Sequence, residues 1–262
     1  MSEQVPAGLW VAATAAVAVV YGAVAALVVR APARAVARRT VVAELTGWLA
    51  VAVALGAAGA FAAERHRLLP GIVLGIAVPI ASGLWLQARP GRVRELVEAV
   101  PLRSLIAVQT YRIAGVVFLL AWATGWMPAA FALPAGLGDI AIGLAALPTA
   151  ARADDPRGRG ACLVWNLAGL LDLVAAIALG ALSSPSPFEA LASGHPNDLI
   201  SRLPFVLIPV FAVPLSILLH AAALRRLRVG ERVPATTTRA SRSACAHPRG
   251  SRAAGPRATR PR

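Results

Sequence analysis

Three ionisable residues stand inside long apolar runs: Arg112 in Gln109-Thr110-Tyr111-Arg112, Asp139 in Pro134-Ala135-Gly136-Leu137-Gly138-Asp139, and Asp172, seven residues after Trp165. A charged side chain at the centre of a bilayer costs about 2.5–3.5 kcal/mol on insertion scales, so it needs a partner or a watery cavity. One Arg against two Asp leaves a surplus carboxylate. A buried carboxyl that gains and loses a proton is what a proton-coupled device requires. Arg112 is therefore expected to pair with Asp139 or to hold an anionic group, with Asp172 as the switchable proton site. Asn166, Gln109 and Tyr111 would supply neutral hydrogen bonds. The competing reading is a structural salt bridge with a permanently neutral second Asp.

The spacing brings these residues to similar depths. Only Gly125-Trp126-Met127-Pro128 separates the runs that hold Arg112 and Asp139, so the two form an antiparallel hairpin. Arg112 lies before that turn by nearly the distance that Asp139 lies after it, and a rise of 1.5 Å per residue leaves a depth difference of about 3 Å. On the next run, Trp165, Gly169 and Asp172 fall within a narrow arc of one helix face. Four side chains, Arg112, Asp139, Asn166 and Asp172, can thus line one polar pocket in the middle and inner half of a membrane.

The elements that must hold them are membrane helices. The chain has 262 residues, of which 58% are hydrophobic and 15% charged, and its mean hydropathy is +0.68. A soluble domain carries about 25% charged residues, so a soluble globular enzyme is excluded. Seven apolar stretches, at about 8–29, 41–63, 69–87, 104–125, 128–148, 160–182 and 200–224, are each long enough to span. The fold expected is an all-α polytopic membrane bundle over residues 1–228. The first stretch does not read as a cleavable signal, because Glu3 precedes it and no Arg does.

All 26 basic residues are Arg. Without Lys there is no Schiff base to retinal or pyridoxal phosphate and no Walker A loop. A formal net charge of +14 would point to nucleic acid in a soluble protein. Here the charges lie in loops and tail, so no nucleic-acid partner is expected. Arg30, Arg34, Arg38 and Arg39 mark the first loop, Arg89, Arg92, Arg94 and Arg103 the third, and Arg152, Arg157 and Arg159 the fifth. The second is diluted by Glu64 beside Arg65 and Arg67; the fourth has no charge and the sixth (183–198) no Arg. Positive loops stay cytoplasmic. That alternation predicts an outside N-terminus and a cytoplasmic C-terminus, and the bias towards Ala, Arg, Gly, Pro and Val suggests a GC-rich bacterial genome, hence a bacterial plasma-membrane location. Cys162 and Cys245 then both face the cytoplasm, which argues against a disulfide. Residues 229–262, rich in Arg, Ser, Thr, Pro and Ala, read as a disordered cytoplasmic tail. Besides fixing orientation, it can meet anionic lipid headgroups.

Several local patterns bear on packing. Gly56-Ala57-Ala58-Gly59-Ala60 offers small residues for close helix approach. Pro134, Gly136, Gly138 and Gly143 around Asp139 allow either a kinked, locally unwound helix or tight packing on small residues. Pro204, Pro209 and Pro214 disfavour a straight seventh helix. His220, near Arg225 and Arg226, reads as an interfacial side chain first and a proton gate second. In the sixth loop, Asn197 or Asp198 is expected to cap the seventh helix. His195 with Asp198 is too few ligands for a metal, and no cofactor is called for.

The strings QTYRIAG, FALPAGLGDIAIGLAA, WNLAGLLDLV and SRLPFVLIPVFAVPLSILLH resemble a group of uncharacterised bacterial multi-pass membrane proteins over about residues 104–224. The resemblance implies a multi-pass membrane fold and adds no chemistry. The leading expectation is a small permease-like transporter, proton-coupled, moving a small solute or a proton. The alternative is a non-transporting membrane subunit or sensor whose polar cluster is structural. An intramembrane enzyme ranks last, since HExxH, GxSxG and a Cys/His pair are all missing and no catalytic residue is named.

Overall fold

The computed structural model of the chain describes residues 5–62, 71–186, 189–191 and 197–230. Glu64, Arg65, Arg67, His195, Cys245 and the tail from 231 to 262 lie outside the described residues. Among those described, seven helices are long and apolar enough to cross a membrane, and no strand occurs. The protein is a helical, multi-pass membrane bundle.

The helices are α1 (Ala7–Arg30), α2 (Ala35–Ala57), α3 (Gly71–Ala88), α4 (Arg92–Ala99), α5 (Leu102–Ala107), α6 (Val116–Ala123), α7 (Ala129–Ala150), α8 (Arg159–Ser183) and α9 (Val213–Gly230). The fourth span is composite: α5 continues through a 3₁₀ segment, Val108–Gly115, into α6. The seventh starts with a π-helical segment, Ile208–Ala212, before α9. These two spans are the most enclosed, 50% and 56% buried, whereas α2 and α3 are 11% and 6% buried. The core thus sits around the fourth and seventh spans, walled by α1, α7 and α8.

Termini follow local chemistry. Ala31, which precedes Pro32, turns extended and ends α1. α2 ends at Ala57, and Gly59 takes a positive φ of 73°. Its N–H bonds Gly56 O and that of Ala60 bonds Leu55 O, the pattern of a glycine-closed helix terminus. The Gly56–Ala60 run is therefore a helix stop and not a packing stripe, although Gly56 itself does admit Leu203. Gly125, φ 78°, closes α6 in the same way and sets up the tight turn into α7. In-span hydroxyls bond back one turn, as in Thr14 to Trp10 O and Thr46 to Val42 O. Hydrocarbon offers them no other acceptor.

Three expectations change, and one open alternative, the state of α7, is decided. α2 begins six residues earlier than its apolar run, at Ala35. The Arg-rich third loop contains an amphipathic helix, α4, with Leu96 buried. α7 runs as one uninterrupted α-helix through Pro134, so its glycines serve packing and not unwinding. Neither Asn197 nor Asp198 makes a side-chain cap: Asn197 is buried against Ser183, and Asp198 pairs with Arg202 at 2.5 Å.

Candidate functional site

Arg112 lies in the 3₁₀ segment and its side chain is 2% exposed. An eight-residue 3₁₀ run is long, since such pieces rarely exceed three or four residues. From this segment Arg112 reaches α7 and α8. Arg112 Nε donates to Asp139 Oδ1 of α7 at 2.7 Å, and Nη2 donates to Asp172 Oδ2 of α8. Nη1 donates to Gly169 O at 3.3 Å and to His220 Nε2 of α9 at 3.3 Å. One guanidinium thus joins four spans. The carboxylates are less enclosed than the arginine, with Asp139 20% and Asp172 17% exposed.

Glycines make this convergence possible. A methyl group on Gly143 would stand 2.8 Å from Ile113 N, and one on Gly115 would stand 2.5 Å from Asp139 Cβ. On Gly138 it would collide with the Asp172 carboxylate, and on Gly169 with the His220 ring. Any side chain at these positions would push the charged groups apart.

His220 is fully buried, contrary to the interfacial placement expected from its arginine neighbours. Arginine can only donate, so His220 Nε2 accepts, and Nδ1 carries the hydrogen it gives to Asn166 Oδ1 at 2.9 Å. Asn166 Nδ2 in turn donates to Cys162 O at 2.8 Å. The Trp165 ring lies 5.1 Å from the imidazole, and its Nε1 donates to Ile142 O at 3.1 Å. The result is one directed chain of donors from Arg112 through His220 and Asn166 to a backbone carbonyl. The signal for His220 in the sequence is Ser216, four residues earlier on the same face of an otherwise apolar helix.

The remaining candidates divide. Tyr111 Oη and Ser216 Oγ are 2.8 Å apart, with Ser216 also bonded to Ala212 O. This pair fastens the 3₁₀ segment to α9 just beyond the π-helical stretch. Gln109 does not join the cluster by any hydrogen bond: it is fully buried and neither amide atom has a partner. A cavity of about 40 Å³, lined by Tyr111, Arg112, Gly115, Asp139 and Ser216, lies against α1. That is room for a few water molecules. Among the described residues no group of three His, Cys, Asp or Glu could hold a metal ion.

The site can therefore do two things chemically. Its one positive and two negative groups sum to −1 when all are ionised, and one proton brings them to neutrality. Its helices also depart from α geometry beside the charges, in 3₁₀ and π segments of the kind found at hinges and functional sites. No curated protein and no solved structure matches the chain. The model of a family described as Domain of unknown function (DUF8737) matches residues 69–228, a stretch that holds Arg112, Asp139, Asn166, Asp172 and His220. With more than half of its length matched, and the whole charged cluster inside the match, the chain belongs to that family.

Proposed function

We propose that this protein is a small transporter of a bacterial plasma membrane, coupled to proton movement through the Arg112–Asp139–Asp172 cluster. The observation that carries this reading is a single buried guanidinium shared by two carboxylates from adjacent spans. Asp139, which meets Nε, anchors Arg112. Asp172, which meets the outer nitrogen Nη2, is the carboxyl that accepts and releases the proton. His220 and Asn166 hold the guanidinium from the other side, and Tyr111 ties its segment to α9.

The unequal winding supplies a route for change. Rewinding the 3₁₀ segment as α-helix, or losing the π stretch of the seventh span, shifts side-chain register and moves Arg112 relative to both carboxylates. A cavity of about 40 Å³ admits a few waters and is far smaller than a pocket for an organic solute, so solute passage requires such a rearrangement. The charge alternation of the loops supports an outside N-terminus, with residues 1–228 as the bundle and 229–262 as a cytoplasmic, lipid-meeting tail.

The test is proton flux into liposomes that hold the purified protein and an internal pH dye. An imposed pH gradient should dissipate faster than in empty liposomes, and Asp172→Asn should abolish the difference. Flux unchanged by Asp172→Asn removes Asp172 from the mechanism. A second reading, a non-transporting subunit or sensor, is favoured by the four hydrogen bonds that hold Arg112. It predicts no flux and co-purification of a stoichiometric partner.

A further inference from the structure

A second feature lies apart from the charged cluster. α3 rests directly on the seventh span: a methyl on Gly75 would stand 2.8 Å from Phe61 and Val210, and one on Gly83 would collide with Leu218. α2 leans instead on α1 and α4, and α2 and α3 do not pack along their lengths. Between them is a groove of about 740 Å³, within the range of pockets that hold an organic ligand. Its walls are nearly all apolar, and Val51, Leu55, Leu74 and Val78 are both wall residues and more than 40% exposed. The groove therefore opens sideways, to the hydrocarbon.

One end of the groove is strongly basic. There α4 closes it with Val93, Leu96 and Val97, and Gln87 lines it from α3. Arg92, next to Val93, donates to Thr40 Oγ1 at 3.1 Å, and Arg225 donates to Gln87 O. Both bond neutral oxygens; Arg92 also feels the Glu95 carboxylate, but no ion pair within 4 Å of either arginine occurs among the described residues. Glu95, the acid nearest Arg92, is taken by Arg34, and Glu98 by Arg94. Residues 34–39, 89–94 and 225–228 carry three arginines each, and among the described residues the acids in and beside these segments are Glu44, Glu95 and Glu98. Glu44 lies one turn deeper than Thr40 on the groove wall and leaves the excess positive.

We infer that the α2–α3 groove binds one anionic phospholipid, its acyl chain along α3 and its phosphate on Arg92 and Arg225. An apolar slot open to lipid selects a hydrocarbon chain, and unpaired arginines at its headgroup end select negative charge. This site is separate from the tail, and it stands whether or not the central cluster moves protons.

The test uses the full chain in mild detergent, with phosphatidylglycerol and phosphatidylcholine of identical chains, read by native mass spectrometry and thermal shift. Phosphatidylglycerol should bind more tightly, and Arg92→Gln with Arg225→Gln should weaken it about thirtyfold, about fivefold for each arginine, with phosphatidylcholine, whose choline offsets its phosphate, weakened less so that the preference is lost. Val78→Trp, on the open face of the groove, should reduce binding of both lipids while the tail is intact. The inference is overturned if the two lipids bind equally. It is also overturned if the preference survives the double arginine variant, or if Val78→Trp breaks a lipid-free dimer, which would make a second copy of the chain the occupant.

Discussion

Removing Arg112 alone should harm the protein more than removing Arg112 together with both of its carboxylate partners. In Arg112→Met an unbranched apolar stem remains but the charge is gone, and Asp139 and Asp172, each at most 20% exposed, lose their only ion-pair partner among the described residues. Breaking a buried pair on one side costs about 3–5 kcal/mol, because the charge left behind is uncompensated. His220 Nε2 also loses its donor, a further cost of about 1–3 kcal/mol if no water replaces it. At 1.36 kcal/mol per decade, the lower figure already shifts the unfolding equilibrium by more than a hundredfold. In the triple variant Arg112→Met, Asp139→Asn, Asp172→Asn no charge remains, and the deficit falls to the unmet bonds of two amides and His220. The assay is unfolding in mixed micelles by added SDS, with the three variants compared on one scale. The order predicted is wild type, then triple, then Arg112→Met as the least stable. A triple variant less stable than Arg112→Met, or an Arg112→Met protein within about 0.5 kcal/mol of wild type, would refute the shared-guanidinium argument.

Other outcomes follow from single contacts. Gly169→Ala should displace the His220 ring and lower stability by about 1–3 kcal/mol, as overpacking does, measured on the same SDS scale. Tyr111→Phe should cost only about 0.5–1.5 kcal/mol, because Ser216 keeps its bond to Ala212 O. Outside the spans, the hydrogen bond from Arg34 holds the Glu95 carboxyl below its ordinary value. A lowered folded value means the contribution is present above the ordinary glutamate value of about 4.3 and is lost as pH falls through the folded one. The protection of α4 amides, measured against their intrinsic exchange rate at each pH, should therefore fall in acid, and Arg34→Gln should remove most of that pH dependence.

What the sequence makes legible here is set by apolar length and turn chemistry. Seven runs of hydrocarbon side chains dictate seven spans, and a four-residue turn closed by Gly125 brings Arg112 beside Asp139 whatever the remaining packing. Helix ends are less visible. Arg38 and Arg39 continue α2 inside the helix, because arginines at a membrane surface do not stop one, and α4 hides in a charged stretch too short for an apolar run. The winding is invisible, since residues that form 3₁₀ and π segments are those that form α-helix. Only Pro209 and Pro214 hint at the irregular start of the seventh span. His220 is misplaced by the same logic that finds spans: Arg225 and Arg226 draw the membrane boundary close, yet α9 continues past His220 and buries it under Trp165. Asp172 is legible as an oddity, but that it shares the guanidinium with Asp139 depends on how α8 is rotated, which Gly138 decides by admitting its carboxylate.

The central claim, that the cluster holds a proton that can leave, is tested most directly by infrared difference spectroscopy of the protein in lipid as pH is varied. A protonated-carboxyl stretch should appear and vanish with pH in wild type, be lost in Asp172→Asn and persist in a variant at Glu44, away from the cluster. A spectrum with no such band at any pH, or a band indifferent to both Asp139→Asn and Asp172→Asn, would contradict it and leave Arg112 as a structural tie between four helices.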